Sequence, residues 1–113
     1  MTEQFAALIE KLLALSREDR VSWEETADED TFLATESRFV VTIEQRRGDW
    51  DSLYYRVRIS DKSDKVLEDA SVSSADPRYA ETKELYELAR RRALRVDAQL
   101  SELLLSLDRK LHR

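Results

Sequence analysis

Beyond Pro77 the chain runs to Arg113 without a glycine or another proline, and its apolar residues return at alternating steps of three and four: Tyr86, Ala89, Ala93, Val96, Leu100, Leu103 and Leu107. That spacing is the seam of an amphipathic helix with a heptad repeat. Leu85, Leu88, Leu94, Leu104, Leu105 and Leu111 widen the stripe. Asp76 offers an N-cap carboxylate, and Pro77 suits the first helical position, where its missing N–H costs nothing. Glu81, Glu84 and Glu87 come early and Arg109, Lys110 and Arg113 late, as the helix dipole prefers. Residues 77–112 are therefore predicted to form one continuous helix.

Such a helix reaches roughly 50 Å at about 1.5 Å per residue. A strand of about seven residues covers only about 23 Å. The helix must overhang any sheet it packs on, and the overhang carries Leu100, Leu103, Leu104, Leu107 and Leu111. Monomers seldom leave an apolar stripe of that size uncovered. Two partners are open to it: the N-terminal helix of the same chain, or a second copy.

Residues 1–16 are predicted to hold that first helix, running from residue 2. Phe5, Leu8, Leu12 and Leu15 repeat along one face, Ile9 and Leu13 extend it, and Thr2 stands in the N-cap position. A helix this short must pack on something, and an antiparallel pairing with the overhang would bury both stripes. Residues 21–72 alternate apolar and polar side chains, the signature of half-buried strands. The expected strands are 21–25, 31–35, 38–45, 52–60 and 65–72. Phe39, Val41 and Ile43 share one face, as do Leu53, Tyr55, Val57 and Ile59. Glu36-Ser37 is a tight turn, and Gly48 is assigned the positive φ of the hairpin that follows. Trp23 is placed in the core and Trp50 at the partly exposed hairpin tip. The predicted fold is α+β: an antiparallel meander of four or five strands, with a short N-terminal helix and a long C-terminal helix on its apolar face.

With 113 residues the chain is sized for one domain, 1–113. Charged residues are 38% and hydrophobic residues 42%, a folded composition. No apolar run approaches the length of a membrane span, and the N-terminus lacks the pattern of a signal peptide. Cysteine is absent, so neither a disulfide framework nor thiolate chemistry is available. Together these features predict a cytoplasmic protein. The net charge of −5 is concentrated at the start: residues 1–30 hold nine acids and three bases. Overall acidity disfavours nonspecific nucleic-acid binding, which depends on phosphate neutralisation.

Trp23-Glu24-Glu25-Thr26, Asp30-Thr31-Phe32-Leu33-Ala34 and the run from Glu84 to Leu94 resemble segments of a group of small bacterial proteins of unassigned function. In that group a tryptophan strand and a threonine–phenylalanine strand precede a meander and a long final helix. The resemblance implies the same helix–meander–helix order and no mechanism.

Three sets of residues are candidates for binding a partner. Arg90, Arg91, Arg92 and Arg95 form the densest basic cluster, although consecutive helical arginines diverge by about 100° and can pair with nearby acids. Tyr54, Arg56 and Arg58, beside Val40 and Thr42, lie on the wet face of the sheet; tyrosine and arginine are enriched at binding hot spots, while pairing with Glu44 is the structural alternative. Glu24, Glu25, Asp28, Glu29 and Asp30 form an acidic segment, read as a solvated turn or a docking surface for a basic partner; it lacks the ligand register and glycine of a calcium loop.

His112, the sole histidine, sits at the chain end. Without cysteine or a second histidine, triads and transition-metal sites lose their usual residues. No cofactor and no metal is expected, and the chain is not expected to be an enzyme. The leading expectation is a protein–protein interaction module, an adaptor or accessory subunit, dimeric through Leu100, Leu103, Leu104, Leu107 and Leu111. The alternatives are a regulatory nucleic-acid-binding protein using Arg90 to Arg95, and a chaperone- or immunity-type protein whose acidic first quarter caps a basic client.

Overall fold

The computed structural model describes residues 2–112. Met1 and Arg113, which fall at the ends of the domain predicted above, lie outside the described residues. The elements are helix α1 (Glu3–Arg17), strands β1 (Glu24–Glu25), β2 (Thr31–Glu36), β3 (Phe39–Arg47), β4 (Leu53–Asp61) and β5 (Val66–Val72), and helices α2 (Tyr79–Ala93) and α3 (Val96–Leu111). The five strands form one antiparallel meander in sequence order. The fold class is the expected α+β arrangement.

Period-two alternation sets the register. Phe32, Ile43, Val57 and Ala70 stand side by side across the sheet, flanked by the row Ala34, Val41, Ile59 and Glu68. Gln45, Tyr55 and Val72 make the row on the other flank. All three rows face the helices. Phe5, Ile9, Leu12 and Leu13 of α1 and Leu85, Tyr86 and Ala89 of α2 close the same core. Tyr86 lies among Phe32 and Tyr55, with ring centroids 5.6 and 5.3 Å away. Trp23 is buried as expected, and its indole N–H donates to the Ser16 hydroxyl over 3.0 Å. Strand β1 is shorter than predicted, because the chain before Glu24 is taken up in docking Val21 and Trp23 against the core rather than in pairing with β2.

Thr2 caps α1 through its hydroxyl, which accepts from the Phe5 N–H at 3.1 Å. The helix ends in a Schellman turn: Asp19 takes φ 56°, its N–H bonds the Ser16 carbonyl, and the Arg20 N–H bonds the Leu15 carbonyl. Here an aspartate fills the left-handed position that glycine usually takes. Asp76 is not the N-cap: its carboxylate accepts the Arg78 N–H at 2.8 Å in the turn before α2, which starts at Tyr79, two residues later than predicted, so that Pro77 lies in that turn and Arg78 is the cap.

Two further expectations about the helices are corrected. Residues 77–112 are not one helix: Arg95 adopts φ 52°, ψ 45°, in the left-handed region, and separates α2 from α3. The Arg95 N–H turns back to the Arg92 carbonyl, one of the two bonds that close α1. The second correction concerns α1, which pairs with α2 rather than with the leucine-rich overhang. Glu10 pairs with Arg78, Arg17 with Glu84 and Asp19 with Arg92. These partners advance together along the chain, so the two helices run parallel. The long connection through the meander returns the chain to its starting end, which permits that direction.

Gly48 is also corrected. It is extended, at φ −98° and ψ −159°, and the positive φ values of the β3–β4 hairpin fall on Trp50 (59°) and Asp51 (57°). The turn is centred two residues later than the glycine suggested. A β-carbon at Gly48 would lie 3.2 Å from the Ser52 Oγ and 3.5 Å from the Tyr54 ring, so the glycine serves close approach instead.

Candidate interaction surface

Helix α3 stands apart from the core. None of its residues is buried, and Leu100, Leu103, Leu104, Leu105, Leu107 and Leu111 are between 46% and 78% exposed. At about 100° per residue, Val96, Leu100, Leu103, Leu104, Leu107 and Leu111 fall within one arc of about 100°. Leu105 lies outside that arc. Asp97 and Asp108 flank the stripe on one side and Lys110 on the other, while Glu102 and Arg109 face away. The five leucines assigned to self-association thus share one exposed face. His112 follows as the exposed C-cap.

The junction with α2 carries most of the arginine cluster. Arg91 pairs with Asp97 across the break, and the Gln99 side-chain amide donates to the Leu94 carbonyl, which the break leaves without its helical partner. Arg92 reaches Asp19 at 2.7 Å. Arg90 lies instead by the acidic turn, in a hollow with Glu25, Thr26, Asp28, Glu29, Asp30 and Phe32. The four arginines therefore diverge. Three of them, Arg91, Arg92 and Arg95, line an open cleft of about 870 Å³ between the end of α1, β1 and the helix junction. Asp19, Glu24, Glu25 and Asp97 line it too, so the basic charge is locally balanced.

Tyr54, Arg56 and Arg58 occupy the sheet face opposite the helices, far from the arginine cluster in the fold. Arg56 makes a forked pair with Asp69 of β5 and also approaches Glu44 of β3 at 3.7 Å. Arg58 reaches the same Asp69 at 3.4 Å. The hydrogen bonds from Arg56 hold the Asp69 carboxyl below its ordinary range, and Arg46 adds a 3.1 Å contact to Glu44. Cross-strand pairing accounts for Arg56 and only in part for Arg58, whose buried Nε has no hydrogen-bond partner among the described residues, and Tyr54 is half-buried beside them.

The acidic segment is held by its own bonds. The Thr26 hydroxyl lies 2.9 Å from the Thr31 carbonyl, and the Asp28 carboxylate accepts the Asp30 N–H at 3.0 Å. Among the described residues no group of three acidic or histidine side chains is placed to share a metal ion. No described helix is long and apolar enough to cross a membrane.

Two features escaped the sequence reading. The break at Arg95 has no glycine, asparagine or proline to announce it; Asp97, a capping residue type inside the helical pattern, was the one available sign. Trp50, expected to be partly exposed, is completely exposed on a left-handed backbone. No family model, no curated protein and no solved structure matches the chain.

Proposed function

We propose that this protein is a small cytoplasmic interaction module, not an enzyme, which self-associates through α3 and serves as an adaptor or accessory subunit. The observation that carries the reading is the leucine face of α3, exposed along its length on a helix with no buried residue.

A second copy is the favoured occupant for three reasons. Leu100, Leu104, Leu107 and Leu111 follow the four-three-four spacing of a helix-pairing seam, with Leu103 alongside. A convex helix face is most simply matched by another helix. In a parallel pair the Asp97–Asp108 flank of one helix faces the Lys110 flank of the other, so opposite charges meet. Burying the exposed half of each leucine is worth about 1 kcal/mol, or roughly 10 kcal/mol across two copies before association costs of about 4–15 kcal/mol. A weak, reversible dimer with an affinity of at best about tens of micromolar follows. Membership of the small bacterial group named above belongs to the same reading.

The test is solution mass by light scattering over a wide concentration range. The expected result is a rise from 13.3 kDa toward twice that value. The L104E/L107E double variant should stay monomeric with unchanged thermal stability, since α3 contributes nothing to the core. A wild-type mass that never rises, or a variant that dimerises equally well, would overturn the reading.

A further inference from the structure

The apolar stripe of the C-terminal third is continuous across the helix break. Thr82, Leu85, Tyr86 and Ala89 of α2 lie on the same face, at about 100° per residue, as Val96, Leu100, Leu103 and Leu107. The sequence is thus written for a straight helix, yet the backbone is bent. The bend places an arginine in the left-handed region, which is unfavourable for any residue with a β-carbon. Two contacts span the break and hold it: the Arg91–Asp97 ion pair and the Gln99 amide on the Leu94 carbonyl. Both involve exposed side chains, and exposed pairs of this kind stabilise only modestly. A modest cost is therefore set against modest support, and the two forms differ little in free energy.

Resting on the self-association reading above, we infer that Arg95 is a hinge which regulates the leucine face, with the bent form competent to dimerise and the straight form not. Straightening would turn the stripe toward the side of α2 that faces the sheet. A parallel pair is isologous, so the same surfaces of both copies meet. In the straight form those surfaces include the acidic turn of Asp28, Glu29 and Asp30, which lies beside Arg90 and Leu94 at the end of α2. Two such acidic turns would repel. The bend carries α3 out of that line. Dimerisation then selects the bent form, and whatever loosens the Arg91–Asp97 pair or the Gln99 cap weakens it.

The absence of cysteine makes the hinge directly measurable. Spin labels on E87C and S106C, both exposed positions outside the leucine seam, should lie about 28 Å apart along a straight helix, before label length is added. They should lie closer in the bent form. R95G removes the left-handed penalty and should favour the bent form about five- to thirty-fold. D97N/Q99A takes the charge from one bridging contact and removes the other, and should shift the balance toward the straight form by up to about tenfold. Pulsed distance measurements are made in the L104E/L107E background, where dimerisation does not interfere. Dimer affinity is measured separately, by light scattering on the unlabelled wild-type, R95G and D97N/Q99A proteins. The expected result is a short distance in R95G, a gain of the long distance in D97N/Q99A, and dimerisation tighter in the first and weaker in the second. Identical distances in all variants would overturn the hinge. Distances that shift while dimer affinity stays constant would overturn its regulatory role. A wild-type protein that is monomeric at every concentration would sink the self-association reading instead, while leaving the distance result standing.

Discussion

Replacing Trp50-Asp51 with Asn-Gly should stabilise this protein. Both residues sit at positive φ in the β3–β4 turn, and a left-handed backbone costs an L-residue about 1–2 kcal/mol. Asn-Gly is the pair that such two-residue turns prefer, because glycine carries no penalty and asparagine a reduced one. The Trp50 side chain is fully exposed, so no buried contact is lost. The turn bonds are made by other groups: the Gly48 N–H reaches the Ser52 carbonyl at 2.7 Å and the Ser52 N–H the Asp49 carbonyl at 3.2 Å. The expected gain is about 1–2 kcal/mol, which for a chain of this size raises Tm by about 4–8 °C. Thermal unfolding followed by circular dichroism, with urea titration as a second measure, reads it directly. A Tm equal to or below that of the wild type would refute the claim that this turn is strained.

The two tryptophans should separate in fluorescence: acrylamide should quench Trp50 readily, and the W50F variant should emit at shorter wavelength with little quenching, since Trp23 is buried. S16A should cost about 1–3 kcal/mol in urea denaturation, because the buried Trp23 indole N–H loses its acceptor. Burial pushes the Tyr86 phenol up to about 12, so the folded state favours its neutral form. That stability is complete below the unfolded value of about 10 and falls as pH rises toward 12. Y86F should flatten part of this alkaline loss, with Tyr55, also raised by burial, supplying more of it. A Y86F profile identical to the wild type would contradict the assignment.

What could be read from the sequence was whatever hydrophobic period dictates. Strands β2 to β5 fall within two residues of their expected ends, because each has an alternating apolar face that only one register can bury. Thr2, Trp23 and the leucine face of the last helix were legible for the same reason: each combines a residue type with a position. What could not be read is where the backbone turns left-handed. Among the described residues that conformation falls on Asp19, Ser37, Trp50, Asp51, Asp64 and Arg95, and not on Gly48. A sequence rule that looks for glycine misplaces the hairpin turn and misses the helix break. Asp61 shows the substitute in operation: its carboxylate accepts the N–H groups of Ser63 and Lys65 around the turn that holds Asp64 at φ 66°. Local side-chain bonds thus do what glycine's freedom does elsewhere. Binding residues were legible only as types, and the ion partners of Arg56, Arg58, Arg91 and Arg92 depended on which elements the fold brought together.

The rest of the surface gives a reason to treat α3 as a working part. Both edges of the sheet are guarded against pairing with another chain. Strand β1 is only two residues long and is made of Glu24 and Glu25. Strand β5 turns Glu68 toward the helix side, opposite Ile59, and is irregular where Leu67 is skipped between the Glu68 and Val66 pairings. Short charged edges, inward charges and bulges are the devices that keep sheet edges apart. The open face of the sheet is laced by Arg56, Arg58, Asp69 and Glu44, and so presents no unpaired row of charge. Among the described residues Trp50, Val66 and Leu67 are also exposed, but the arc from Leu100 to Leu111 gathers five exposed leucines on one face with no charge inside it. If that arc stayed bare, it would undo the protection built into the sheet edges. The proposed pairing of α3 with a second copy would cover it, and the short charged flanks of α3 suit a cover that can come off.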